Sequence, residues 1–141
     1  MAIEIDRSSE FGARVLRRLE EDEIIWLTTG GKDGAPQPNP VWFIWSGERF
    51  LIFSQPDHKI GNIERWNKVS LSFNTDQHGS DVVVFNGEAT LGQATDMPDD
   101  LKAEYVTKYE RGMKSLGMDP ETFQGTYSRL ITVIPSKLRG F

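Results

Sequence analysis

Phe11, Val15 and Leu19 recur every four residues with Leu16 beside them, while arginines and glutamates fill the other positions. That spacing predicts an amphipathic helix, and Ser8 or Ser9 is placed to cap it through a side-chain oxygen that accepts from a free backbone N–H. The period then shortens. Ile24-Ile25-Trp26-Leu27-Thr28-Thr29 is rich in β-branched and aromatic residues and closes on Gly30-Gly31-Lys32-Asp33-Gly34, which predicts a strand and a tight turn. From Gln37 to Trp45 polar and apolar residues partly alternate, but Pro38 and Pro40 lack the N–H that a ladder needs. This strand is therefore expected at a sheet edge or with a bulge. Ser46-Gly47-Glu48 turns the chain into Arg49 to Ser54, whose unbroken Phe50-Leu51-Ile52-Phe53 predicts a strand covered on both faces.

Asp57 is placed to cap a short helix running through Ile60, Ile63 and Trp66. Val69, Leu71 and Phe73 then alternate with Ser70 and Ser72 as a half-exposed strand. After the polar loop Asn74 to Ser80, Asp81 to Leu91 reads as a long strand with Gly87 as a bulge. Pro98 fixes the start of a helix whose apolar face carries Leu101, Tyr105 and Tyr109. Gly112 to Gly117 is expected to loosen the chain, Asp119-Pro120-Glu121 to restart a helical turn, and Tyr127 to Ile134 to form the last strand. Six strands joined mainly by hairpins, with three or four helices, predict a mainly β fold with flanking helices, an antiparallel barrel rather than a parallel α/β sheet.

At 141 residues the chain suits a single domain, 1–141. A net charge of −5 argues against nucleic-acid binding, which needs a basic stripe, so an anionic ligand must meet a local basic patch. With no cysteine there is no disulfide framework and no thiolate metal site, and the two histidines lack ligand company, so no metal is expected. The mixed, acidic first ten residues do not resemble a signal peptide, and no apolar run spans a bilayer. A cytoplasmic protein without membrane contact is the expectation. A Gly-x-Gly-x-x-Gly or Gly-Lys-Ser/Thr loop is missing, which disfavours the ordinary dinucleotide and ATP folds.

Within nine residues Ser54, His58, Lys59 and Asn62 place a hydroxyl, an imidazole, an ammonium and an amide around a strand end and a helix start. Free N–H groups and the positive dipole end of that helix favour an anion, although a capping Asp57 competes for the same N–H groups. The same pattern also fits an ordinary capped helix with a solvated lysine. Of Trp26, Trp42, Trp45 and Trp66, only Trp42 is assigned a ring-side role, and the rest are read as core. No catalytic acid or base is assigned.

Asp33-Gly34-Ala35-Pro36, then Pro40-Val41-Trp42-Phe43, Phe53-Ser54-Gln55, and Lys59 followed by Asn62-Ile63 resemble, in that order, the pyridoxamine-phosphate-oxidase-like family of flavin and deazaflavin proteins. The similarity is greatest to its small reductases and binders of coenzyme F420, and it runs from the first helix to the closing Pro135 to Phe141. The resemblance implies a six-stranded antiparallel split β-barrel of the FMN-binding type. It also implies a homodimer with the cofactor in a groove between two barrels. Pro40, Val41, Trp42 and Phe43 would then face the ring edge, and Ser54, Gln55, Lys59 and Asn62 would hold the phosphate or the chain leading to it. The partner would close the groove with Arg129, Arg139 and Phe141. FMN oxidases of this family bear an arginine and a lysine on a strand where Gln37 to Ile44 carries no cation, so F420 is preferred and FMN is the alternative. Lys102, Lys108, Arg111 and Lys114 are candidates to meet the anionic F420 tail. The implied activity is hydride transfer between F420 and a small conjugated substrate. An FMN-dependent enzyme, and a non-catalytic carrier of F420 or another planar ligand, are the competing readings.

Overall fold

A computed structural model describes residues 3–141. Helix α1 (Glu10–Glu21) is capped by Ser9, whose side chain accepts from the Gly12 N–H, and it buries Val15 and Leu19. Strands β1 (Ile25–Gly30), β2 (Pro36–Val41), β3 (Ile44–Trp45) and β4 (Phe50–Ser54) follow. Next come α2 (His58–Arg65), β5 (Lys68–Ser72), β6 (Val83–Gln93), α3 (Asp99–Lys108), α4 (Glu110–Ser115), α5 (Pro120–Thr126) and β7 (Arg129–Gly140). All strand pairs are antiparallel, in the order β2-β1-β5-β6-β7-β4-β3.

The two outermost strands explain the shape. β2 and β3 sit at opposite ends of the sheet, yet only Trp42 and Phe43 separate them along the chain. A sheet whose edges are joined by two residues must curl, and the junction is the split of the barrel. The strand expected from Gln37 to Trp45 is thus two strands, which makes seven rather than six. The edge position expected from the prolines holds: β2 pairs only with β1, with Pro38 opposite Thr28 and Pro40 opposite Trp26.

β4 is buried along its whole length, as its unbroken apolar run requires. β7 runs six residues past the expected end at Ile134, straight through Pro135. The ladder tolerates this proline because it lies opposite Gly87, where the register shifts. A Cβ on Gly87 would lie 2.6 Å from the Ile134 carbonyl oxygen, so the bulge needs glycine for space. Two other expectations need correcting. Residues 112–117 are not loosened, since α4 covers 112–115 and ends at Gly117 with a positive φ. Trp66 leaves the apolar face of α2 and is 62% exposed, while Ile60 and Ile63 are buried.

Two apolar clusters result. One fills the barrel with Phe43, Phe50, Ile52, Phe85 and Ile131 among others, closed by Val15 and Leu19 of α1. The second lies under α3–α5 and joins Ile44, Leu51 and Phe53 to Tyr105, Tyr109, Met113 and Phe123.

Candidate functional site

Where the barrel splits, a cavity of about 250 Å³ opens between the end of β4 and the helices. β3 pairs with β4 only at Leu51 and Phe50, whereas β7 pairs with it from Phe50 to Ser54. Residues 52–54 therefore have a strand on one side and none on the other. Phe53, Ser54 and the following Gln55 line the cavity, joined by Pro40, Val41 and Trp42 from the end of β2. Such an unpaired stretch offers backbone donors and acceptors that a bound ligand can satisfy.

The facing wall is aromatic. Trp42 stacks on Tyr109, centroids 4.6 Å apart and planes 6° apart, and on Phe123 at 5.5 Å and 12°. Phe123 stacks in turn on Tyr127 at 4.4 Å, and Tyr105 and Leu116 complete that side. Gly112 lets α4 approach the indole: a Cβ there would lie 2.6 Å from Trp42 Cη2. Its glycine serves packing and not looseness.

The Phe43 N–H donates to Tyr109 Oη at 2.8 Å, and the same oxygen lies 2.7 Å from the Glu23 carbonyl and 2.9 Å from that of Phe43. Its single proton serves one of the two carbonyls. Lys108 Nζ donates to the Phe43 carbonyl at 3.0 Å and rides 3.8 Å over the Phe43 ring. This clamp holds the chain in the split geometry. Burial pushes the Tyr109 hydroxyl well above the usual tyrosine range. Tyr105 is fully buried, and its hydroxyl has no hydrogen-bond partner. Burial, and then its neighbour Tyr109, push its pKa up as well, so it stays neutral.

At the start of α2, Asp57 Oδ1 accepts from the Lys59 N–H at 3.0 Å, and its other oxygen pairs with Lys59 Nζ at 2.6 Å. The cap is the one expected from sequence, but the same carboxylate also takes up the lysine's charge. Ser54 Oγ donates to the Gln55 carbonyl at 2.8 Å. Among the described residues no group of three or more His, Asp or Glu stands close enough to hold a metal ion, and no helix is long and apolar enough to cross a membrane.

Six of the residues picked from sequence therefore meet in one cavity: Pro40, Val41, Trp42, Ser54, Gln55 and Lys59. Five do not. Phe43 is sealed in the barrel core with both backbone groups engaged, so it presents nothing to the cavity. Asn62 is buried and donates to Gln37 Oε1 at 2.8 Å and Thr29 Oγ1 at 3.0 Å, which pins α2 to β1 and β2. Arg129 lies opposite Ser54 and Gln93, with its Nε donating to the Gly92 carbonyl at 3.1 Å. Arg139 and Phe141 stand at the far end of β7, where Phe141 is exposed. Of the helix cations, Lys108 is turned onto Phe43 and Lys114 pairs with Glu110 at 3.6 Å. Sequence reasoning assigned Tyr105, Leu116 and Phe123 no place in a site. The only signal was tyrosine in place of phenylalanine on the core face of α3, a hydroxyl where an apolar ring would pack as well.

No curated protein matches the chain. Among solved structures, an F420 reductase is 24% identical, with 87% of this chain and 94% of that one covered at a TM-score of 0.65. HutZ, the heme storage protein of Vibrio cholerae, is 15% identical, with 94% and 95% covered at 0.62. A putative 5-nitroimidazole antibiotic resistance protein of Bacteroides thetaiotaomicron is 14% identical, with 98% and 84% covered at 0.63. At these identities the likeness is one of fold. Residues 11–130 match the family described as pyridoxamine 5'-phosphate oxidase, which takes in α1 through the start of β7 and the whole cavity. The curled antiparallel sheet, the split at Trp42 and Phe43 and this match agree: the chain belongs to the pyridoxamine 5'-phosphate oxidase family.

Proposed function

We propose that the cavity takes the planar ring of coenzyme F420 and that the chain is an F420-dependent reductase of small conjugated substrates, working as a homodimer. The observation that carries this reading is the unpaired end of β4 facing a stacked aromatic wall, a slot shaped for a flat polar ring. At about 250 Å³ the slot falls below the roughly 300–1,000 Å³ of pockets that bury a whole ligand. It suits the ring alone, and Arg129, Arg139 and Phe141 of a second copy would hold the rest of the cofactor. β2 carries no cation, and among the described residues Lys59 is the only cation lining the cavity, a sparse grip that favours F420 over FMN.

When bound in its reduced form, the deazaflavin supplies a hydride. The chain's own part is to fix one face of the ring against Trp42 and Phe123, to offer the free edge at residues 52–54 to ring polar atoms, and to keep water out with Leu116 and the tyrosines. Lys59 would hold the phosphate in place of Asp57, with Ser54 and Gln55 lining the same side. A second reading rests on a separate observation. The acid and the base lining the cavity neutralise each other, and burial makes the Tyr105 hydroxyl a weaker acid, so a carrier of a planar ligand also fits.

Titrating the purified protein separately with F420 and FMN, with cofactor fluorescence as readout, tests the proposal. F420 is expected to bind, and Lys59→Ala to weaken it about ten- to a hundredfold, the value of one charge-assisted hydrogen bond. Unchanged affinity in that variant removes the phosphate role of Lys59. Tight FMN binding without an F420 response overturns the cofactor. F420 binding with no oxidation by any acceptor in a broad panel leaves the carrier.

A further inference from the structure

Tyr105 is wholly buried on α3 and lines the cavity, yet its hydroxyl has no hydrogen-bond partner. Tyr109, one turn later, shows the alternative, with its hydroxyl 2.7–2.9 Å from three backbone groups. An orphaned buried hydroxyl is costly, and phenylalanine would fill the same space against Phe53 and Phe123 without that cost. Water does not reach the oxygen, so only a group entering the cavity can satisfy it. The backbone beside it is open in the same way. In the β3–β4 hairpin the Ser46 N–H donates to the Arg49 carbonyl. Polar backbone groups alternate sides along an antiparallel strand, so Arg49, Leu51 and Phe53 all turn theirs towards β3. β3 reaches only as far as Ile44, opposite Leu51, which leaves the N–H and C=O of Phe53 unpaired where Phe53 lines the cavity. The Phe53 and Tyr105 rings are 4.6 Å apart, and the Phe53 N–H acts on the Tyr105 oxygen without bonding to it.

We infer that the Tyr105 hydroxyl and the Phe53 N–H form a two-donor seat for a ring carbonyl oxygen of the cavity's occupant, with the Phe53 carbonyl beside them to accept from a ring N–H. The occupant so selected is a planar cyclic amide, a lactam or imide, and flat rings without that edge leave the hydroxyl unpaired. The seat deepens the reading of the cavity as a ring site and rests on it. Tyr105 acts there as a hydrogen-bond donor and not as an acid. Burial, and then Tyr109, hold its pKa well above the ordinary 10.0, so the proton stays on the hydroxyl.

Tyr105→Phe tests the seat through two changes of opposite sign. In the ligand-free protein the urea midpoint is expected to hold or rise, because an unpaired buried polar atom has been removed. Affinity for F420, or for FMN if that is the cofactor taken up, is expected to fall about three- to tenfold, the value of one neutral hydrogen bond. The ring carbonyl stretch in the infrared difference spectrum of the complex is expected to move to higher frequency, a change that a purely structural tyrosine would not cause. Unchanged affinity or an unshifted carbonyl overturns the seat and leaves the ring site standing. A lowered urea midpoint in the ligand-free variant shows that the hydroxyl already has a partner and overturns it too. If the unaltered protein takes up neither cofactor, the ring reading of the cavity fails and the seat falls with it.

Discussion

Inside the barrel the packed side chains are almost all aliphatic, phenylalanine or the edge of Trp45. Phe50 meets Phe85 edge-on at 5.0 Å and Trp45 at 4.8 Å, and the buried hydroxyl of Thr29, beside Ile25 and Leu27 on β1, is satisfied by Asn62 at 3.0 Å. Under the helices the packing is just as tight, but Tyr105 and Tyr109 replace phenylalanines, one hydroxyl ties the backbone at Phe43 and Glu23, and the other has no partner. The difference has a physical meaning. An apolar interior gains from burial alone and tolerates no polar atom without cost. A cluster that accepts buried hydroxyls gives up some of that gain in return for fixed polar geometry beside a cavity. The barrel supplies stability and one side of the cavity, and the helical cap supplies the facing aromatic wall.

The sharpest way to break this division is Phe50→Ala. Phe50 is fully buried in the barrel cluster, so the truncation should cost about 3–5 kcal/mol in urea unfolding. The protein that remains folded should bind the proposed F420 as before, because Phe50 does not line the cavity. A matching loss of affinity would show that the two clusters act as one. Tyr109→Phe is the smaller and more selective change. It strands the buried Phe43 N–H, at a cost of about 1–3 kcal/mol. Here affinity should fall along with stability, since the hydroxyl holds the Phe43 backbone next to Trp42, which lines the cavity. Full affinity in a destabilised Tyr109→Phe protein would show that the wall stands without the clamp.

The same contrast marks what could be read from sequence. The barrel was legible because its signals are local: the unbroken run at Phe50 to Phe53, the alternation at Val69 to Phe73, the prolines that keep β2 at an edge. Half of the site was legible for the same reason, since Ser54, Gln55, Asp57 and Lys59 are close along the chain. What escaped depends on distant partners. The split falls at Trp42 and Phe43 because a hydroxyl 66 residues further on takes the Phe43 N–H out of the ladder. Gly112 reads as a flexible residue until Trp42 is seen against it, and β7 reads as ending before Pro135 until Gly87 is placed opposite. Lys59 shows the limit even of local reading, because the carboxylate that caps its helix also neutralises it.

The smallest predicted effect separates the two regions by titration. The barrel cluster carries no titratable group among the described residues, so alkaline changes in stability report on the cap. Lys108 has a folded pKa of about 8 against an ordinary 10.5, so between these values the unfolded chain holds more of the proton. Stability should therefore rise with pH through this window, the contribution being lost again as pH falls through 8. Tyr105 and Tyr109 act oppositely. Their folded pKa values lie above the ordinary 10.0, so the unfolded chain ionises first and their contribution, complete below that value, drains away above it. The urea midpoint should thus climb modestly from pH 8 to 10 and then fall. In Lys108→Gln the climb should vanish and the fall remain, whereas in Tyr109→Phe the climb should remain and the fall weaken. A midpoint that declines steadily from pH 8 in the unaltered protein would mean that Lys108 is not held in the desolvated position over Phe43, and the clamp at the split would then rest on Tyr109 alone.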